Sequence, residues 1–265
     1  MTKTEAKNWS PKIALELYQI LKKNWPPSSP SPLLQDLVIA LTNALEKGDL
    51  YVDLSKKLQP KGLQESGWPE SHIKALLESG WLEDNSSPII LDGSQLSWRR
   101  WHSDMNAIIQ NLLNRSRLKS PPPDNYFLTQ NLSTEVKQLN KEQKAAVISI
   151  DNQTVILLSG GPGTGKTSTI VEMLVRGISL NPNIKIGLAA PTGKAARRLQ
   201  DALHKGIKVT TPHYATLTKL PCKTLHRWLQ AQKGRFGRNE SHPLDLNLLI
   251  VDEMSMVELN LMQAL

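Results

Sequence analysis

Gly160-Gly161-Pro162-Gly163-Thr164-Gly165-Lys166-Thr167 is the stretch whose reading decides the fold. Four glycines within six positions let the backbone turn tightly and bring N–H groups within hydrogen-bonding distance of a polyphosphate. The residues that follow, Ser168 to Gly177, read as a helix with Ile170, Val171, Leu174 and Val175 on one face. A helix start adds unpaired N–H groups and the positive end of its dipole to the same anion site. Lys166 supplies a point charge for the β- and γ-phosphates, and the Thr167 hydroxyl supplies a ligand for Mg²⁺. Upstream, Val155-Ile156-Leu157-Leu158 is a short apolar run that reads as a buried parallel strand. Strand, G-x-x-x-x-G-K-T loop and helix together form the P-loop context. The competing reading, a glycine-rich turn of no consequence, has to explain that context as coincidence. The sequence therefore predicts a nucleoside triphosphate site in which Gly160, Gly161, Pro162, Gly163, Thr164, Gly165, Lys166 and Thr167 hold ATP and Mg²⁺.

Two further strands are legible. Ile184 to Ala190 is apolar and ends at Pro191-Thr192-Gly193-Lys194, where Thr192 is a natural N-cap for a helix with Ala195, Ala196, Leu199 and Leu203 inward. Leu248-Leu249-Ile250-Val251 reads as a buried strand that delivers Asp252 and Glu253 at its carboxyl end. Asp252 is the expected second Mg²⁺ ligand, opposite Thr167. Glu253 is the expected activator of the water that attacks the γ-phosphate, which makes Lys166, Asp252 and Glu253 the candidate catalytic set. Gln143, on a predicted helix ahead of the loop, carries a donor and an acceptor side by side, as adenine recognition requires. On spacing alone a helix-surface glutamine is merely solvated. The expected architecture is α/β, a P-loop NTPase (RecA-like) parallel sheet flanked by helices.

The chain is basic, with a formal net charge of +8 over 265 residues. Between residues 185 and 238 the only acid is Asp201, set among lysines and arginines that include Lys194, Arg197, Lys223, Arg227, Arg235 and Arg238. A basic run is commonly just a solvated face. Its place beside an NTP site favours a nucleic-acid track instead. Thr192, Lys194 and Arg197 are candidates for phosphate contact at a helix start. Thr224-Leu225-His226-Arg227-Trp228-Leu229 reads as a short helical element whose Thr224, His226 and Arg227 could touch a strand, although His226 alone reads equally as an ordinary histidine. Lys233 to Arg238 reads as a flexible basic loop with Phe236 available for base stacking.

The N-terminal half differs in kind. Ser10 to Asn24 predicts a helix capped by Ser10, with Ile13, Leu17, Ile20 and Leu21 buried. Pro26 to Pro32 reads as a linker. Leu33 to Lys47 predicts a second helix stopped by Gly48, and Ser71 to Ser79 a third, capped by Ser71. Pro88 to Trp98 predicts a hairpin around Asp92-Gly93, and Met105 to Leu118 a further helix. Six of the seven tryptophans lie in this half and read more readily as core than as docking anchors. Pro121 to Asp124 marks the expected boundary between a mostly helical domain over 1–120 and the NTPase domain over 121–265. One cysteine, Cys222, excludes an internal disulfide framework. No run approaches the ~20 apolar residues of a membrane span, and the expected location is cytoplasmic.

The order G-G-P-G-T-G-K-T, A-P-T-G-K-A-A-R-R-L, T-L-H-R-W-L and V-D-E-M-S-M-V resembles the RecD-type superfamily-1 DNA helicases. Gly48 to Leu54 and the Pro88–Trp101 segment are similar to the N-terminal domain of the RecD subunit of exodeoxyribonuclease V, so the resemblance covers most of the chain. It implies a 5′→3′ ATP-dependent DNA motor, acting on single-stranded DNA or DNA ends beside RecB-like and RecC-like subunits in double-strand break repair. It also implies that Gln143 reads adenine and that Thr192, Lys194 and Thr224 to Arg227 lie near the single strand. Met254 stands where the family has a small residue. The family's second motor domain has no counterpart here, so these residues alone are expected to bind ATP, hydrolyse it poorly and unwind nothing. A non-catalytic interaction module and another P-loop DNA-dependent ATPase are the rival readings. Nuclease activity is unsupported, because no acidic cluster beyond Asp252-Glu253 is visible.

Overall fold

The computed structural model describes residues 11–83, 85–118, 139–161, 163–233 and 235–265. Contacts divide the chain into Met1–Asn106 and Ala107–Leu265. The division falls inside a helix, ahead of the proline run at 121–124, which lies outside the described residues.

In the first unit, α1 (Pro11–Asn24) packs on α2 (Pro32–Glu46). The buried face of α1 is Ala14, Tyr18 and Leu21, with Leu17 against it, while Ile13 and Ile20 are exposed. The expected face is thus rotated, because Tyr18 meets the Trp81 ring edge-on at 6.4 Å and turns the helix toward it. Ser10 lies outside the described residues. For α2 the expected face is largely as read, with Leu34, Leu37, Val38 and Leu41 buried, Leu45 partly buried, and Gly48 at φ +84 just beyond the end; Ser31, read as part of the linker, caps the start by accepting from Leu33 N. Each such buried leucine contributes about 1.5–3 kcal/mol relative to exposure.

Helix α3 (Glu70–Glu78) starts one residue before Ser71, so Ser71 is not its cap. Strands β1 (Tyr51–Asp53), β2 (Ile89–Asp92) and β3 (Gln95–Trp98) form an antiparallel sheet in the order β1-β3-β2. The β2–β3 turn is Gly93-Ser94, one residue on from the expected Asp92-Gly93, because Asp92 still pairs with Gln95; Gly93 takes φ +59. Trp68, Trp81 and Trp98 are buried in this core. Asp36 is buried too, and accepts hydrogen bonds from Gln64 N and Glu65 N, with His72 Nε2 at 3.5 Å. Arg99 opens α4 (Arg99–Arg117) and ties it to the hairpin through Ser87 O.

The second unit holds α5 (Lys141–Ser149), α6 (Lys166–Leu180), β4 (Ile186–Ala190), α7 (Gly193–Gly206), α8 (Tyr214–Leu217), β5 (Cys222–Thr224), α9 (Leu225–Trp228), β6 (Leu248–Val251), a 3₁₀ turn (Met254–Met256) and α10 (Leu259–Gln263). The strands form a parallel sheet in the order β5-β4-β6. Every residue of the central β4 is buried, as a continuous apolar run demands. Helix α7 lays Ala195, Ala196, Leu199 and Leu203 on this sheet and against α6.

Two expectations about strands fail here. Val155 to Leu158 forms no strand: Ile156 packs against Val147 and Met173, whereas Leu157 is 82% exposed. Strand-type sequence is stable as a strand only where a neighbouring backbone accepts its hydrogen bonds, and none does so here among the described residues. For the same reason β6, paired among the described residues with β4 alone, is partly buried throughout and not fully buried.

Candidate functional site

The loop at 160–167 has the conformation its glycines permit. Gly163 and Gly165 take φ +75 and +77, the left-handed region, and Gly165 is the N-cap of α6. The first N–H groups of α6 have no intrahelical acceptor and face outward from its start. Lys166 folds back, its ammonium donating to Gly160 O at 2.5 Å and Gly161 O at 2.8 Å. The Thr164 hydroxyl donates to Gly161 O at 2.9 Å and lies where a side chain on residue 160 would have to be. This cradle of donors without Cβ atoms fits a polyphosphate. Pro162 lies outside the described residues.

Gln143 is brought to the loop. Its Nε2 donates to Thr164 O at 2.9 Å and lies 2.6 Å from where a Cβ on Gly165 would stand. Its Oε1 accepts from Asn140 N at 3.0 Å, while Asn140 Oδ1 accepts from Gln143 N at 2.8 Å. That reciprocal pair is a capping box at the start of α5. Asn140 was not singled out as a functional residue from sequence, although Asn-x-x-Gln is the spacing that signals the box.

Asp252 stands at the carboxyl edge of the sheet, its N–H donating to Ala189 O at 2.9 Å. Glu253 follows at φ +52, a left-handed conformation that costs a non-glycine residue about 1–2 kcal/mol. Strain of that kind concentrates at functional sites. Thr224 pairs with Ala190 on the other side of β4, so Thr224 and Asp252 flank the same strand end. Neither the Thr167 hydroxyl nor the Asp252 carboxylate has a hydrogen-bond or ion-pair partner among the described residues, which suits both as Mg²⁺ ligands. No hydrogen bond or ion pair joins residues 160–167 to Asp252 or Glu253 among the described residues. The segment expected to carry the loop into the sheet, 155–158, is the one that forms no strand.

The basic face is partly as read. Thr192 caps α7, accepting from Ala195 N at 3.1 Å, and Lys194 and Arg197 are exposed on its first turns. Thr224 caps α9, accepting from Arg227 N at 3.3 Å, with His226 and Arg227 exposed. Lys223 lies over the Trp228 ring at 4.8 Å. Lys185, however, is paired with Asp245 at 2.7 Å, and Arg238 donates to Pro243 O. Phe236 is not displayed for stacking: it packs with Leu225 and Leu229, since the turns closed by Gln232–Arg235 and Asn239–His242 fold it under.

Residues 143–265 match the family model of the AAA domain. The chain is 34% identical over 239 residues to the RecBCD enzyme subunit RecD of Mycobacterium tuberculosis (strain ATCC 25618 / H37Rv), covering 86% of this chain and 40% of that protein. The chain belongs to the RecD-type helicases. The likeness extends to the RecBCD enzyme subunit RecD of Haemophilus influenzae, 31% identical over 186 residues, which is 65% of this RecD-type chain and 29% of the relative. The ATP-dependent RecD2 DNA helicase of Deinococcus radiodurans is 35% identical over 121 residues, 46% of the chain and 14% of the relative. The RecD-type chain thus spans well under half the length of the curated relatives it matches. Among the described residues, no helix is long and apolar enough to cross a membrane.

Proposed function

We propose that these residues are the ATP-binding part of a RecD-like, 5′→3′ ATP-dependent DNA helicase, acting with RecB-like and RecC-like subunits on DNA ends in double-strand break repair. The observation that carries this reading is the loop itself: glycines in the left-handed region, a lysine at the start of α6 and an uncrowded set of N–H donors. The loop N–H groups bind the phosphates, and Lys166 leaves the Gly160 and Gly161 carbonyls to hold the β- and γ-oxygens. Gln143 reads the base. Thr167 and Asp252 hold Mg²⁺, which when bound neutralises charge on the phosphates. Glu253 orients and deprotonates the attacking water. Thr192, Lys194, Arg197, Thr224, His226 and Arg227 contact the single strand, and the helical unit docks on a partner through surfaces other than its buried Trp68, Trp81 and Trp98.

Titration with a fluorescent ATP analogue, with and without Mg²⁺, tests the reading. Magnesium-dependent binding lost in Lys166→Ala is expected. Absence of binding to the unaltered chain overturns the proposal in favour of an interaction module. In parallel, single-strand affinity should fall steeply with salt, by about 0.7 log unit per log salt for each phosphate neutralised.

A further inference from the structure

Gln143 is held at both ends of its carboxamide. Oε1 accepts from Asn140 N at 3.0 Å and Nε2 donates to Thr164 O at 2.9 Å. A carboxamide has two acceptor lone pairs and two N–H donors, so this clamp consumes one of each and leaves one of each. It also fixes which end is which. Turned over, the amide would set its N–H₂ against the Asn140 N–H and its oxygen against the Thr164 carbonyl, two repulsive contacts in place of two bonds. Asn140 is held in turn, its Oδ1 accepting from Gln143 N at 2.8 Å with its backbone at φ −70, ψ 173.

We infer that Asn140, together with the Thr164 carbonyl, is a positioning residue for base selectivity: it locks the Gln143 amide in the one orientation that matches adenine. Adenine offers a donor at N6 beside an acceptor at N7, and the spare lone pair and spare N–H of the locked amide complement that pair. Guanine offers two acceptors, O6 and N7, so its O6 meets the amide oxygen. An amide free to turn would lose part of this discrimination. The Thr164 carbonyl belongs to the phosphate-binding loop, so the same bond ties the base-reading residue to the phosphate cradle. The inference rests on the nucleotide reading above, and it differs from a plain helix-capping role in one measurable respect. A cap stabilises α5 whatever the base, whereas a locked amide changes the ratio of ATP to GTP binding.

The test is displacement of a fluorescent ATP analogue from the full 265-residue chain by ATP and by GTP, with Mg²⁺. Asn140→Ala keeps the backbone N–H that Oε1 accepts from but removes the Oδ1 that holds that N–H against Gln143 N, and should loosen the clamp and weaken ATP several-fold while GTP changes little. Asn140→Ser, which can still cap, should keep the unaltered preference. Gln143→Leu removes the carboxamide altogether and should abolish the preference even if Asn140→Ala fails to fold. Equal weakening of ATP and GTP in Asn140→Ala, or an unchanged preference in Gln143→Leu, overturns the inference and leaves the nucleotide site standing. If the unaltered chain binds neither nucleotide, the proposed function falls and takes this inference with it.

Discussion

The Lys166 ammonium lies 2.5 Å from Gly160 O, so the residue expected to hold phosphate instead closes its own loop. These bonds are solvent-exposed, and exposed lysine contacts contribute little to stability. The loop is thus braced without being committed, and an incoming phosphate replaces two carbonyls with a charge-assisted bond. Lys166→Ala should therefore lower the affinity for Mg-ATP by tenfold or more, on the order of 1.4 kcal/mol. The melting temperature of the free chain should move by only a degree or two. A large drop in thermal stability would show that the lysine is structural.

Gly165 is required twice over. Its φ of +77 suits a residue without Cβ, and the Gln143 amide nitrogen occupies the place a Cβ would take, at 2.6 Å. Gly161, by contrast, would place a Cβ 3.9 Å from the Thr164 methyl, an ordinary contact. Gly165→Ala should cost about 1–2 kcal/mol from backbone conformation alone and displace Gln143. Gly161→Ala should fold almost as well as the unaltered chain. Urea unfolding of the two variants side by side checks the contrast, and equal losses would refute it.

Helix starts were legible only in part. Thr192 is the cap it was read as, its partner three residues away, and the α7 face followed from helical spacing alone, whereas Ser71 was read as a cap and lies inside α3, and the caps Ser31 and Thr224 were not read as such. Strands fared less well, because a strand's environment is set by a backbone distant in sequence. β4 was found because an apolar run flanked by two partners is buried on both faces. Val155 to Leu158 has the same composition and no ladder. The face of α1 was misjudged for a related reason, since Tyr18 turns toward Trp81, 63 positions away in sequence. In the site, the loop and Asp252-Glu253 were each legible as motifs, but whether they meet depends on sheet order, which no local pattern encodes.

That difference can be measured. Leu157 is 82% exposed and Leu188, on β4, is 2% exposed. Leu157→Ser should change stability by less than about 0.5 kcal/mol, as for other surface substitutions. Leu188→Ala should cost about 2–5 kcal/mol for the buried volume removed. Denaturant midpoints of the two variants report the outcome. A loss for Leu157→Ser comparable to that for Leu188→Ala would mean that residues 155–158 do join the sheet.

Cys222 provides a probe of the sheet's carboxyl edge. Burial pushes its thiol pKa up, a backbone hydrogen bond at Gln200 works the other way, and the Asp252 carboxylate raises it further. The thiol itself donates to Ala196 O at 3.1 Å. Because the folded pKa lies above the unfolded one, the contribution to stability is complete below the ordinary thiol range and fades as pH rises through the folded value. Thiolate is the reactive form, so labelling by a disulfide reagent near pH 8 should be much slower in the folded chain than in denaturant. Asp252→Asn removes a negative charge that opposes ionisation, so it should speed labelling of the folded chain at the same pH. If the Asn variant labels no faster, Asp252 does not act on this thiol, and its placement at the end of β4 would have to be revised.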